Sequence, residues 1–413
     1  MSIDRNEVEE IFARAFGDAR EMKFEKAPGR VNLIGEHTDY NEGFVLPMAI
    51  DRDIAIGFRL RDDNVVRLYS ADYGQYAEFS LDAIEYDDKC KWSNYFRGVA
   101  HVFQKHGLPQ KYGVVLPGID AVVHGDVPKG SGLSSSAAFE VATARVLIAA
   151  SGIGPIDPVE IAKLCQEAEN DFVGVRCGIM DQMASVLGRP GHAVFLDCRD
   201  YSYELVSLPF QGLALAICDT GVRRGLAQSE YNRRRQECET GVGMIREMIG
   251  QRDPRRKESI RALRDVSPLE FEEVKGALPP VIANRCWHVI SENERVLANV
   301  QALKNGDIER FGVLMNESHE SLRKFYEVSC EALDVMVELA RQVNGVFGAR
   351  MTGAGFGGCA ISLMNAESVE PFIDHVIPQY REKMIAALEN ADSQPSFTVE
   401  EIQESQVFIV RFP

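Results

Sequence analysis

The sequence predicts a two-domain α+β protein, on three observations. The chain has 413 residues, too many for one ordinary compact core. Short β-rich runs gather near its start and return near its end, with long helical blocks between them. Its composition, 45% hydrophobic and 26% charged, is that of a normal globular chain.

The elements follow in order. Residues 3–17 place Ile3, Val8, Ile11, Phe12 and Phe16 near one helical face that stops at Gly17. From about residue 23 to 85 the runs FEKAPGRVNLIG, GFVLPMAI, DIAIGFRL and VVRLYSA read as strands separated by turn residues. Residues 93–107 return to a helical pattern. A strand and a Gly-rich turn then lead into an apolar helix from Ser134 to Ala150, and 158–174 reads as a further helix. HAVFLDC and residues 211–219 are strands; 228–250 is a charged helix, with more helices to about 342. GVFGARMTGAGFGGCAISLM reads strand, glycine loop, strand, and a helix and a last strand, SQVFIVRF, close the chain. A boundary is expected near residues 200–210, giving domains 1–205 and 206–413, although no Pro/Ser linker marks it. A catalytic cleft is expected where the halves meet.

Charge and composition exclude several classes. With 62 acidic and 45 basic residues the net charge is -17, which disfavours nucleic acid or an anionic membrane as partner. Asp4, Glu7, Glu9 and Glu10 are foreign to a signal peptide, and no stretch reaches the roughly 18 apolar residues of a membrane span. Nine scattered cysteines without a CxxC pair predict reduced thiols in a cytoplasmic protein.

Three segments carry chemistry. PKGSGLSSSAAFEVATARVL, from Pro128, has glycines that let the backbone approach a ligand and serines that can cap the following helix. A helix N-terminus of this kind suits phosphate, though no Gly-Lys-Ser/Thr run makes it a Walker A loop. APGRVNLIGEHTDYNEGFVLP, from Ala27, sets Glu36, His37 and Asp39 on one turn, where carboxylates and imidazole suit the hydroxyls of a sugar. A structural turn and a metal site remain alternatives there; no second histidine stands at ligand spacing. MTGAGFGGCAISLM, from Met351, satisfies GxGxxG, but a strand follows the glycines where a dinucleotide fingerprint would open a helix. Protein-kinase signatures are absent.

In this order and spacing the three segments resemble the GHMP kinase superfamily, and GRVNLIGEHTDYNEGFVLP resembles the signature of its galactokinase family. WSNYFRGV, GDVPKGSGLSSSA, CGIMDQM, HAVFLDCR, SEYNRRRQEC and the C-terminal glycine loop extend the likeness over roughly residues 24–360. The resemblance implies a two-domain GHMP kinase fold with the active site in the cleft between domains. It implies ATP-dependent phosphorylation of the anomeric hydroxyl of D-galactose, with ATP as co-substrate and Mg²⁺ as cofactor. It implies that Gly130, Ser131, Gly132, Leu133, Ser134, Ser135 and Ser136 cradle the ATP phosphates, and that Ser70 contacts the nucleotide. Ser136 and Glu169 would hold Mg²⁺, and Asp181 and Arg30 would be catalytic. Glu36, His37, Thr38, Asp39 and Tyr231 would bind the sugar. The partners implied are a small-molecule sugar and ATP, with the oligomeric state left open, a monomer included.

Taken singly these residues have plainer roles. Glu169 reads as an exposed helix acid, Asp181 as a helix cap, Arg30 as a surface ion pair, Tyr231 as a half-buried aromatic, and Arg233–Arg235 as a solvated helix face. CDTGVRRG, Cys218 to Gly225, departs from the family's usual run, and Arg176 and Met183 are variable positions. Those departures put the exact substrate in doubt more than the reaction class, and the alternatives are a kinase for N-acetylgalactosamine, galacturonate or arabinose and, from another class, a non-catalytic galactose/ATP sensor.

Overall fold

A computed structural model of the chain describes residues 3–223, 227–389 and 397–412. Its residues form two compact units, each drawn from separate stretches. Unit 1 takes Met1–Arg30, Ala49–Lys129 and Ser134–Gly188; unit 2 takes Val31–Met48, Gly130–Leu133 and Arg189–Pro413. The expected boundary at 205/206 falls inside the last of these stretches. A single cut does not contain the short segments 31–48 and 130–133, both of which carry motif residues.

Unit 1 is built on a five-stranded sheet of order β1-β3-β6-β4-β5. Its strands are β1 (Lys23–Asn32), β3 (Pro47–Leu60), β4 (Val65–Ser70), β5 (Gln75–Ser80) and β6 (Ile119–Gly125). β6 runs antiparallel to β3, from Ile54↔Gly125 to Leu60↔Ile119, and parallel to β4. The helix Arg5–Phe16 begins at an Asp4 cap and ends at Gly17. Its Val8, Ile11 and Phe12 pack with Met22, Ala55 and Val122, as the apolar spacing requires. The helix Ser135–Ser151 is buried on most sides, from Ala137 to Leu147, which explains its nearly unbroken apolar run.

The 158–174 segment is not one regular helix. α-geometry covers Pro158–Glu167 and then widens into a π turn, Ala168–Val173. Such turns insert a residue and re-aim the side chains that follow. Spacing cannot reveal this, because the pattern stays helical through the insertion.

Unit 2 carries an antiparallel sheet of order β10-β11-β9-β12 and a three-stranded sheet of order β2-β7-β8. The first is made of β9 (Leu213–Asp219), β10 (Val346–Met351), β11 (Cys359–Asn365) and β12 (Gln406–Arg411). The second is made of β2 (Phe44–Val45), β7 (His192–Asp197) and β8 (Tyr203–Ser207). β9 lies between β11 and β12 with every residue buried, as expected of a continuous apolar run. Helices Ala227–Arg252, Pro280–Asn305, Ile308–Ser321, Glu331–Arg341 and Val369–Glu389 are the longer helices of the unit among the described residues. The glycine loop of the third motif enters β11, a strand, as the sequence predicts. Gly355 has a φ of 80°, and a Cβ there would stand 2.1 Å from the Val328 carbonyl oxygen, so no larger residue fits. No helix among the described residues is long and apolar enough to cross a membrane.

Candidate active site

The phosphate motif joins β6 to the helix Ser135–Ser151. Its backbone takes positive φ at Gly130 (67°), Gly132 (84°) and Ser134 (61°), alternating with Ser131 and Leu133, which do not. Alternation of this kind turns successive amides to one side, a backbone pattern that suits an anion. The first-turn amides at Ser135 and Ser136 have no intrahelical acceptor, and the helix dipole favours negative charge beside them.

The expected capping role of Ser134 is not what the structure has. A cap needs extended backbone, whereas Ser134 is left-handed and makes no side-chain bond to the helix. Its hydroxyl donates instead to Asp181 Oδ2. Asp181 lies in the first turn of the helix Met180–Leu187. Arg30 grips it with two parallel bonds, Nε to Oδ1 and Nη2 to Oδ2, each 2.8 Å. Arg30 is buried and Asp181 keeps 28% of its side chain exposed, so the pair is no surface ion pair yet presents a carboxylate edge.

Glu169 sits on the π turn and is 5% exposed, not the solvated acid its residue type suggests. Its Oε2 accepts from Gln182 Nε2 at 2.8 Å and Cys177 Sγ at 3.2 Å, and the Ser136 hydroxyl also bonds the carboxylate. Burial pushes its pKa up to about 7, and the nearby Asp181 charge adds to the rise. Gln182 Nε2 also donates to Glu140 Oε2 at 3.0 Å. Glu140 is wholly buried, and burial with the Glu169 charge drives its carboxyl upward. Sequence reasoning missed Glu140; the signal was one carboxylate inside the apolar run AAFEVA.

Whether these residues fit Mg²⁺ can be tested on their chemistry. Among the described residues no group of three or more His, Cys, Asp or Glu side chains forms a metal cage. Mg²⁺ needs no such cage, because it takes one or two carboxylates and completes its shell with phosphate oxygens and water. Glu169 offers a desolvated carboxylate whose bonded partners are a thiol, an amide and a hydroxyl, none cationic. With Ser136 beside it, the donor set fits.

Ser70 ends β4, and its Oγ accepts from Tyr73 N at 3.3 Å. The Tyr73 ring stands parallel to Trp92, with centroids 6.4 Å apart and planes 17° apart, and Lys129 Nζ lies 3.6 Å above Tyr73. Neither ring has a role on the sequence alone, although Trp92 opens the run WSNYFRGV.

In unit 2 the sugar motif forms a loop from Gly35 to Phe44. Gly35 has a φ of 104°, and a Cβ would meet the Phe44 oxygen at 2.8 Å, so the loop closes only with glycine there. Glu36 is buried; its Oε1 accepts from Gly353 N at 3.1 Å and its Oε2 from Arg350 Nη2. Burial raises its pKa while the Arg350 charge opposes the rise. The carboxylate therefore ties the loop to β10. Thr38 is likewise taken up by the turn, its hydroxyl 2.7 Å from the Gly35 oxygen and 2.6 Å from the Phe44 oxygen. His37 Nδ1 lies 2.8 Å from Tyr40 Oη and its Nε2 lies 3.2 Å from the Ala354 oxygen. Asp39 opens a short 3₁₀ turn, Asp39–Asn41, and is half-buried. Tyr231 is half-buried, its ring 5.6 Å from that of His37 and 5.0 Å from that of Tyr40.

The arginine run is not uniformly a solvated face. Arg234 is buried and donates from Nε to the Tyr326 oxygen at 2.7 Å and from Nη2 to the Glu327 oxygen at 2.8 Å, closing a second π turn, Leu322–Tyr326. In CDTGVRRG, Arg223 Nη1 bonds buried Asp219 at 2.8 Å, while Arg224 and Gly225 lie outside the described residues.

Comparison with known proteins places these features in a family. The profile of the galactokinase galactose-binding signature matches residues 10–60. That of the GHMP kinases N terminal domain matches residues 94–189, and that of the GHMP kinases C terminal domain matches residues 299–381. A galactokinase of Chloroflexus aggregans is 47% identical over 369 residues, covering 89% of this chain and 90% of that protein. The crystal structure of Lactococcus lactis galactokinase complexed with galactose superposes with a TM-score of 0.86 at 34% identity, over 98% of this chain and 97% of that one. Methanococcus jannaschii mevalonate kinase shares the fold alone, with a TM-score of 0.62 at 18% identity over 95% and 99% of the two chains.

Proposed function

The chain belongs to the galactokinase family of the GHMP kinases, and from that premise we propose that it transfers the γ-phosphoryl group of ATP to the anomeric hydroxyl of D-galactose, giving galactose 1-phosphate and ADP. The observation that carries the reading is the Arg30–Asp181 pair, bonded at 2.8 Å and joined by the Ser134 hydroxyl of the phosphate motif.

Phosphoryl transfer asks for positioning and charge neutralisation more than for covalent chemistry. Asp181 accepts a hydrogen bond from the sugar hydroxyl and orients or removes its proton. Arg30 fixes the carboxylate and offsets charge that develops on the transferring group. The amides from Gly130 to Ser136 hold the phosphates, and the parallel Tyr73 and Trp92 rings suit the flat face of a nucleotide base beside Ser70. Asp39, His37 and Tyr231 bind the sugar, with Glu36 and Thr38 shaping the loop that presents them. Ser136 and Glu169 would hold Mg²⁺, which when bound supplies positive charge to the phosphate oxygens. The apolar and charge pattern fits a cytoplasmic enzyme whose partners are small molecules.

ADP release from Mg-ATP over galactose, glucose, N-acetylgalactosamine, galacturonate and arabinose tests the reading. Turnover should be confined to galactose. Turnover of another sugar would move specificity to CDTGVRRG, and galactose binding without ADP release would make the chain a sensor.

Glu169→Gln removes the charge but keeps the shape. The Mg²⁺ concentration for half-maximal rate should rise about tenfold or more. Because protonation at a pKa of about 7 competes with the cation, apparent Mg²⁺ affinity of the wild type should climb as pH rises through 7, and the variant should lose that slope. A Mg²⁺ titration unchanged by the substitution removes Glu169 from the metal site.

A further inference from the structure

His37 has a backbone conformation that its neighbours must hold. Its φ is 64°, in the left-handed region, where a non-glycine residue persists only if the surroundings over-determine it. Two peptide planes flank it. The downstream carbonyl, His37 O, accepts from Asn41 Nδ2 at 2.8 Å. The upstream carbonyl, Glu36 O, lies 3.1 Å from Nε2 of His288, a residue buried in the helix Pro280–Asn305.

A carbonyl only accepts, so His288 Nε2 carries the hydrogen. Nδ1, 2.8 Å from Ser321 Oγ, is then the acceptor of a neutral ring. Burial keeps that ring neutral, pushing its pKa down to about 4. The tilt of the Glu36–His37 peptide plane sets φ at His37, so the bond from His288 fixes that angle across 252 positions of sequence. The His37 ring is oriented by the same logic. Its Nε2–H donates to the Ala354 oxygen, and its Nδ1 accepts from Tyr40 Oη.

We propose that His288 is a positioning residue for the sugar loop: its Nε2–H holds the Glu36 carbonyl and, through it, the left-handed turn that aims the His37 ring. The proposal rests on the reading that this loop binds galactose. His288 itself touches no substrate.

His288→Leu keeps bulk and removes the donor, whereas His288→Gln sets an amide N–H near the place of Nε2. The KM for galactose should rise about tenfold or more in His288→Leu with the KM for ATP unchanged, and His288→Gln should return within about threefold of the wild type. A second measurement needs no sugar. In ¹⁵N-histidine NMR the Nε2–H tautomer of His37 should persist in the wild type and His288→Gln and be lost in His288→Leu. If His288→Leu does not fold, Ser321→Ala, which removes only the hydroxyl that donates to His288 Nδ1, should shift the same KM in the same direction. An unchanged galactose KM, or an unchanged His37 spectrum, overturns the proposal. Wild-type protein that turns over no galactose overturns the functional reading instead, and the spectrum still decides the part His288 plays.

Discussion

Asp181→Asn should lower kcat by about 10²- to 10⁴-fold while the protein stays folded. The amide keeps the size of the carboxylate and an oxygen that can accept from Ser134 or Arg30, but it cannot take a proton and carries no charge. Arg30, now without its anion, is buried at 4% exposure, so a modest loss of stability accompanies the loss of rate. The check is steady-state ADP release together with a thermal unfolding curve. A variant that unfolds near the wild-type midpoint and turns over within about tenfold of it would remove Asp181 from the chemistry.

Arg350→Met should destabilise the protein by about 3–5 kcal/mol, without any contact to the reacting groups. Arg350 is wholly buried on β10. Its Nη1 donates to the Asn32 and Leu33 oxygens at 3.1 Å, and its Nη2 donates to Ser318 Oγ at 3.1 Å and to Glu36. Methionine fills the space but leaves Glu36 buried without its cation and takes the Arg350 donor from the Leu33 and Asn32 carbonyls, of which Asn32 keeps Thr352 Oγ1 at 3.2 Å. Glu292, nearby, keeps Arg295 at 2.7 Å; burial acts to raise its pKa, but Arg295, His288 once it is protonated below about pH 4, and Arg350 outweigh it and hold it down at about 2. The folded-state pKa of Glu292 lies below that of the unfolded chain. Its contribution to stability is therefore present above pH 4.5 and lost as pH falls toward 2. The unfolding midpoint of Arg350→Met should fall by roughly 4–6 °C at neutral pH. A shift under about 2 °C would show that the buried network contributes little.

How much of this was legible in the sequence depended on the kind of signal. Periodicity exposed the helix Arg5–Phe16 and the buried strand Leu213–Asp219, because burial itself creates the pattern. The turn before the helix Ser135–Ser151 was legible because glycine and serine mark it. The left-handed Ser134 was not, because its conformation is held by Asp181, 47 positions away. The π turn at Glu169 stayed hidden, since an inserted residue leaves helical spacing intact. Arg350 and His288 looked like ordinary strand and helix residues, yet they are what hold Glu36 and its carbonyl. Residue types announce groups that meet a ligand; the groups that hold those in place are fixed by distant partners and carry no local mark.

The way the chain is shared between the two units bears on how it is made. Segment Val31–Met48 counts with unit 2, but its partners in that unit, His288, Glu292, Asn293 and Arg350, are synthesised far later. At about 5–20 residues per second, the loop emerges on the order of tens of seconds before the helix that anchors it. Over that interval unit 1 gains its last stretch, ending at Gly188, so it can close while the sugar loop is still waiting for its support. A truncated nascent chain ending before residue 280 should therefore protect the sheet of unit 1 from protease while leaving residues 33–46, between β1 and β3, open to cleavage.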